Sequence, residues 1–232
     1  MRTTIFLVLA ILITTGMVNA QLVSYVANSL PSAQGWTYTY VPSDPGESNV
    51  FSIANSTLLQ NSMSIGNIAV NYRNYPTIDP SLSYYIDLDA RVLQVNNPSY
   101  PYGFCFGAQI GLNRYVFGVT PTTIHYHNGT SPQLIAAVDN TVFHNYHVTL
   151  LTGGGWQFFV DGNLKGSGAH AWTYNHAQEI FLGDGTQNCN ARAELTRYEF
   201  GVVPEPSSLL LLGASLLSLG IAGRLRRIKK SL

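Results

Sequence analysis

Between residues 21 and 203 the sequence alternates apolar and polar side chains, and no window sustains apolar residues at i, i+3, i+4 and i+7. The clearest run sets Tyr84, Ile86, Leu88, Ala90 and Val92 against Tyr85, Asp87, Asp89 and Arg91. Successive side chains of a strand point to opposite faces, so this run predicts a strand with one face in a core and a polar face outward. A helix over the same residues would scatter those apolar side chains around its axis. Trp36, Tyr38 and Tyr40 repeat the period, and strand-like runs follow at 103–110, 114–119, 123–127, 146–151, 156–160 and 191–200. Gly153-Gly154-Gly155 reads as a turn. Asp161-Gly162 reads as a tight hairpin, because such turns need φ > 0. Many short strands at this spacing predict an all-β sandwich or jelly roll over 21–203.

Composition narrows the classes. Hydrophobic residues make up 46% of the 232 residues and charged residues 10%, which argues against intrinsic disorder. Two cysteines are too few for a disulfide scaffold or a cysteine-rich zinc module. Twelve Lys and Arg balance twelve Asp and Glu, but the balance is an average over unlike parts. Arg2 lies in the first twenty residues, and Arg224, Arg226, Arg227, Lys229 and Lys230 lie in the last nine. The stretch through Glu205 keeps six cations against all twelve acids, a net charge of −6. That charge argues against nucleic acid as a partner and favours neutral glycan or protein over polyanionic polymers.

The two ends read as targeting segments. Arg2, the apolar run Ile5 to Ile13, and Val18-Asn19-Ala20 make residues 1–20 a signal peptide cut by signal peptidase after Ala20. Nine apolar residues are too few to cross ~30 Å of hydrocarbon. At the other end the uncharged run Leu209 to Gly223, extended by Ser207 and Ser208, predicts a short transmembrane helix over about 207–223. The basic stretch 224–230 holds the tail on the cytoplasmic side, which leaves 21–203 outside. Immediately before the helix, Val203-Pro204-Glu205-Pro206 places two prolines around one residue and keeps the backbone extended, the shape a protease cleft accepts.

The order of Pro-Glu-Pro, short apolar helix and Arg-rich tail over 204–232 closely resembles the PEP-CTERM sorting signal of Gram-negative bacteria. The resemblance implies recognition by exosortase, a membrane-embedded cysteine transpeptidase-like enzyme, and release or transfer to the cell surface. Members of that family are usually found in bacteria that make exopolysaccharide. A plain membrane-anchored periplasmic protein, never processed, is the alternative at this end.

The strand order carries a second resemblance. Tyr84 to Val92, Gly103-Phe-Cys-Phe-Gly, Tyr115-Val-Phe-Gly-Val, Asn145-Tyr-His-Val-Thr-Leu, Trp156-Gln-Phe-Phe-Val-Asp-Gly and Phe181-Leu-Gly-Asp-Gly-Thr follow one another. Together they look like the concanavalin A-like lectin/glucanase and laminin G-like jelly rolls over about 80–200, with 21–80 as opening strands and loops. Retaining glucanases of that fold alternate carboxylates along one strand, and retaining chemistry needs two carboxyl groups about 5–5.5 Å apart. The nearest match is Asp87 and Asp89, but Tyr85 and Arg91 stand where the family has acids. The expected role of this face is a solvated strand surface, with a secreted glycoside hydrolase or lyase as the alternative.

Other constellations are thinner. His125 and His127 share one strand face, but a zinc site needs three protein ligands. Asp184-Gly185-Thr186 alone cannot supply the six or more oxygens of a calcium site. No cofactor or metal is therefore expected. Fourteen tyrosines are a stronger signal: Tyr72, Tyr75, Tyr100 and Tyr102 fall in turn-rich segments, where exposed rings can stack on sugar faces. Cys105 and Cys189 reach an oxidising compartment and are expected to pair, closing an 84-residue separation worth roughly 3–5 kcal/mol. The chain thus reads as an exported, non-enzymatic jelly-roll protein of the cell surface or extracellular matrix, structural or adhesive, with glycan contacts.

Overall fold

The side chains of residues 84, 86, 88, 90 and 92 are buried, and those of 85, 87, 89 and 91 only partly so. The computed structural model describes residues 21–169 and 172–203, all within one unit, Gln21–Val203. The signal peptide with Ala20, His170, and everything after Val203 (Pro204-Glu205-Pro206, the 207–223 helix and the basic tail) lie outside the described residues. Among the described residues no helix is long and apolar enough to cross a membrane.

Along the chain the strands are β1 (Gln21–Val26), β2 (Thr37–Val41), β3 (Phe51–Ala54), β4 (Thr57–Asn61), β5 (Ala69–Asn74), β6 (Tyr84–Val95), β7 (Cys105–Ile110) and β8 (Asn113–Val119). They continue as β9 (Thr123–His127), β10 (Pro132–Ala137), β11 (His144–Leu150), β12 (Gly155–Val160), β13 (Asn163–Ala169), β14 (Glu179–Asp184) and β15 (Ala191–Val202). One helical turn each at Pro31–Gln34 and Glu47–Val50 interrupts them. The hairpin at Asp161-Gly162 forms as expected, with φ of 49° and 75°, and joins β12 to β13. β5 corrects the expectation that residues 71–74 are turn-like: Asn71 and Arg73 alternate with the core residues Val70 and Tyr72.

These strands form two antiparallel sheets. The eight-stranded sheet runs β13-β12-β11-β6-β15-β4-β3, and β1 also pairs with β15. β4 takes the first part of β15 (Arg192–Leu195) and β1 the later part (Arg197–Gly201). The seven-stranded sheet runs β10-β9-β8-β7-β14-β5-β2. Between the sheets lies one apolar core, with Ile86, Leu88 and Val148 from one side and Phe106, Phe117 and Leu182 from the other. Phe158 of β12 crosses it, 5.4 Å from the Phe117 ring centroid and 6.2 Å from that of Phe106. Such pairs add ~0.5–1.5 kcal/mol each beyond their burial. The result is an all-β sandwich of the jelly-roll type.

Candidate functional site

The core takes Tyr72, Phe106, Tyr115, Phe117, Tyr126, Ile180 and Leu182 from the seven-stranded sheet. The intervening residues Arg73, Cys105, Arg114, Val116, His127, Glu179 and Phe181 therefore face outward. On that outer face Tyr102, Cys105, Val116 and Phe181 make a second apolar cluster, with Trp172 packed against it. Glycines let the overlying loops approach. A Cβ on Gly118 would lie 2.0 Å from the Pro101 carbonyl oxygen, so a side chain at 118 would push the 99–102 loop off β8. Gly129 has φ +91°, and a Cβ there would come within 3.0 Å of the Trp172 ring. β9 pairs with β8 only along Phe117–Val119. Beside the earlier residues of β8, Thr173 bridges Asn113, and the Arg114 N–H donates to the Trp172 carbonyl at 3.1 Å.

The floor of this region holds a charge cluster. Glu179 has no exposed side-chain surface, and its carboxylate accepts from Arg73 Nη1 at 3.0 and 3.2 Å and from Arg114 Nη1 at 2.8 Å. A buried carboxylate is tolerable only when paired this closely. Arg114 is enclosed by rings, its guanidinium 4.7 Å from the Phe181 centroid, 5.3 Å from Tyr174 and 5.7 Å from Trp172. Arg73 is the more open of the two, with a quarter of its side chain exposed. Two guanidiniums on one carboxylate leave a local charge of +1 inside a domain that is otherwise acidic.

Above the cluster opens a cleft of about 310 Å³, walled by Tyr100, Tyr102, His127 and Trp172 with Arg73 and Arg114 at its base. The His127 ring lies 4.9 Å from Trp172 and 5.2 Å from Tyr102. Tyr102 is 7% exposed, and its hydroxyl has no hydrogen-bond partner among the described residues. A second groove of about 370 Å³, bounded by Tyr40, Gln187 and Thr186, shares Asn71, Arg73, Gly185, Thr186 and Asn188 with the first. Apolar walls with a few convergent polar groups are the composition of a small-ligand site.

The four tyrosines expected to stack divide between core and surface. Tyr72 corrects the expectation: it is fully buried, and its hydroxyl donates to Glu47 Oε1 at 2.8 Å, so its ring is closed to ligand. Tyr75 and Tyr100 are about half exposed, and of these Tyr100 lines the cleft, as does the largely buried Tyr102. The metal candidates are not assembled. His125 Nε2 meets Thr123 Oγ1 at 2.9 Å, and His127 Nδ1 accepts from the Gly129 N–H at 2.8 Å. Burial lowers both imidazole pKa values. Asp184 is buried elsewhere, accepting from Ser62 Oγ at 2.6 Å and from the Thr186 N–H at 3.2 Å. Among the described residues no three His, Cys, Asp or Glu groups converge on a metal position.

The expected disulfide is also corrected, because Cys105 and Cys189 are both buried free thiols. Cys105 belongs to the outer-face cluster, where its sulfur crowds Gly185. The Cys189 thiol instead donates to the Asn190 carbonyl at 3.7 Å and rests against Gly103.

Asp87 and Asp89 stand on the outer face of the other, eight-stranded sheet. Asn145 Nδ2 bridges them at 2.8 and 2.9 Å. Arg197 pairs with both, through Nη2 to Asp87 and through Nε to Asp89 at 3.0 Å, and His147 Nδ1 lies 3.0 Å from Asp87. Partial burial raises the Asp87 pKa, but the hydrogen bonds with His147 and Asn145 and the Arg197 charge outweigh it and hold the carboxyl below its ordinary range. A general acid needs the opposite shift.

The fold defines a class, a jelly-roll sandwich shared with domains of sugar-active and binding proteins. The structure of a conserved carbohydrate esterase from the Shiga toxin-encoding bacteriophage phi24B superposes with a TM-score of 0.57 at 12% identity, covering 80% of this chain and 99% of that one. The binding domain of Paraclostridial Mosquitocidal Protein 1 gives 0.53 at 11% identity, covering 82% of this chain and 50% of that one. A glycosyl hydrolase family protein from Mycobacterium fortuitum gives 0.51 at 10% identity, covering 78% and 99%. No curated protein sequence matches the chain. The chain does carry the PEP-CTERM protein-sorting motif, matched over residues 202–227. That motif implies an exported, membrane-transiting protein processed by exosortase.

Proposed function

We propose that the chain is an exported, non-catalytic glycan-binding protein of the cell surface or extracellular matrix, holding its ligand in the cleft walled by Trp172, Tyr100, Tyr102 and His127. The observation that carries this is the cleft itself: aromatic walls about the size of a small ligand, with charged and hydroxyl groups at its base. Likeness in fold to a carbohydrate esterase and a glycosyl hydrolase family protein supports sugar as the ligand class. In this account signal peptidase cuts after Ala20, the 207–223 helix holds the protein in the membrane with its domain outside, and exosortase acts at Pro204-Glu205-Pro206. The non-catalytic reading is supported by the engagement of Asp87 and Asp89 with Arg197 and Asn145. A glycan array on the purified protein tests it. At least one glycan should bind, and Trp172→Ala should weaken it about tenfold, ~1.4 kcal/mol of lost stacking. An empty array, or Asp87-dependent release of sugar from a polysaccharide panel, would sink the proposal; the latter would favour the hydrolase or lyase alternative.

A further inference from the structure

The charge at the base of the cleft points to a more specific ligand than glycan in general. One guanidinium would neutralise Glu179, yet Arg73 and Arg114 both reach it. Arg114 is spent on the carboxylate and on the rings around it. Arg73 gives Nη1 to Glu179 and Nε to Asn71 Oδ1 at 3.2 Å, leaving Nη2 without a partner among the described residues. It also lines both grooves, so a donor with surplus positive charge stands where they meet. Tyr102, which lines the same cleft, has a buried hydroxyl with no partner among the described residues. Buried polar groups are normally satisfied, and an unpaired one at a ligand cleft calls for a partner from outside the protein, a water or a ligand atom.

We propose that the cleft recognises an acidic sugar, a uronic-acid residue that stacks on the Trp172 side of the cleft and presents its carboxylate to Arg73, while Tyr102 bonds the same sugar and the adjoining groove takes the next residue. This rests on the glycan-binding reading and narrows it. Arginine meets a carboxylate through charge-assisted hydrogen bonds, roughly twice as strong as neutral ones. The negative charge of the rest of the domain opposes long polyanions, so the ligand is an acidic unit spaced by neutral sugars.

The test is calorimetric titration of the full chain in detergent with oligosaccharides containing glucuronate, galacturonate or mannuronate, each beside its carboxyl-reduced form. At least one acidic member should bind about tenfold tighter than its reduced counterpart, a preference that Arg73→Gln abolishes and added salt weakens. Tyr102→Phe is the control for folding. It removes only an unpartnered hydroxyl, so thermal stability should hold or rise while affinity falls at least about twofold, the low end for one lost hydrogen bond. If no acidic member outbinds its reduced form, or the preference survives Arg73→Gln in folded protein, the acidic-sugar proposal is overturned. Neutral glycans that still bind in a Trp172-dependent way would leave the broader reading standing, whereas no binding to any sugar would remove both.

Discussion

A carboxylate enclosed behind the end of β14 is hard to ionise, and burial pushes Asp184 up to about 8 despite hydrogen bonds from Ser62, Thr186 and Asn190. In the unfolded chain the same group titrates near ~3.9. Between these values the folded state keeps a proton that the unfolded chain has lost, so stability falls as pH rises, by at most roughly 1.4 kcal/mol per unit. Ser62 Oγ, which donates to this carboxyl at 2.6 Å, also lies 3.3 Å from the Ala191 carbonyl. Asp184→Asn removes this titration, and its urea stability relative to wild type should grow steadily from pH 5 to pH 8. His125 and His127 act in the opposite sense below about pH 6.5, and they cancel in that comparison. A difference that shrinks with pH would refute the assignment. Residue by residue, the sequence showed that tyrosines were abundant but not which ones faced out. Tyr72 and Tyr100 sit in similar Asn-, Pro- and Tyr-rich surroundings, and only the sheet decides that one is core and the other surface.

At the scale of elements, β11, β6 and β15 are tied by a ladder that register alone creates. Asn145 stands opposite Asp89 and His147 opposite Asp87 on one side, with Arg197 and Glu199 opposite the same two residues on the other. The alternation of Asp87 and Asp89 along one face was legible. Their partners were not, because Arg197 is 108 residues from Asp89 in sequence. Arg197→Met should lower stability by about 1–2 kcal/mol, between an exposed and a buried ion pair, with glycan binding unchanged. Loss of binding in that variant, with the fold intact by circular dichroism, would move the ligand to the eight-stranded sheet. The cleft was hidden for the same reason: Trp172, Arg73, Arg114 and Glu179 come from separate elements, and the run Trp172-Thr-Tyr-Asn-His was its only local trace.

For the whole molecule, the pairing of Gln21 with Gly201 brings the start of β1 beside the end of β15. The described domain therefore begins and ends at neighbouring points of one sheet, and every strand pair described lies within residues 21–203. Residues 21–203 alone should unfold in a single cooperative urea transition, with fluorescence and circular dichroism midpoints coincident. Two separated midpoints would show that the sandwich is not one cooperative unit. The sequence by itself determined the sorting signal and the all-β class, since an apolar run, a Pro-Glu-Pro and a period of two are properties of contiguous residues. Only the tertiary structure decided which tyrosines are exposed, that the cysteines stay free, and that two arginines share Glu179. Those facts depend on which strands lie side by side and in what register, and a shift of one residue would turn every side chain to the opposite face.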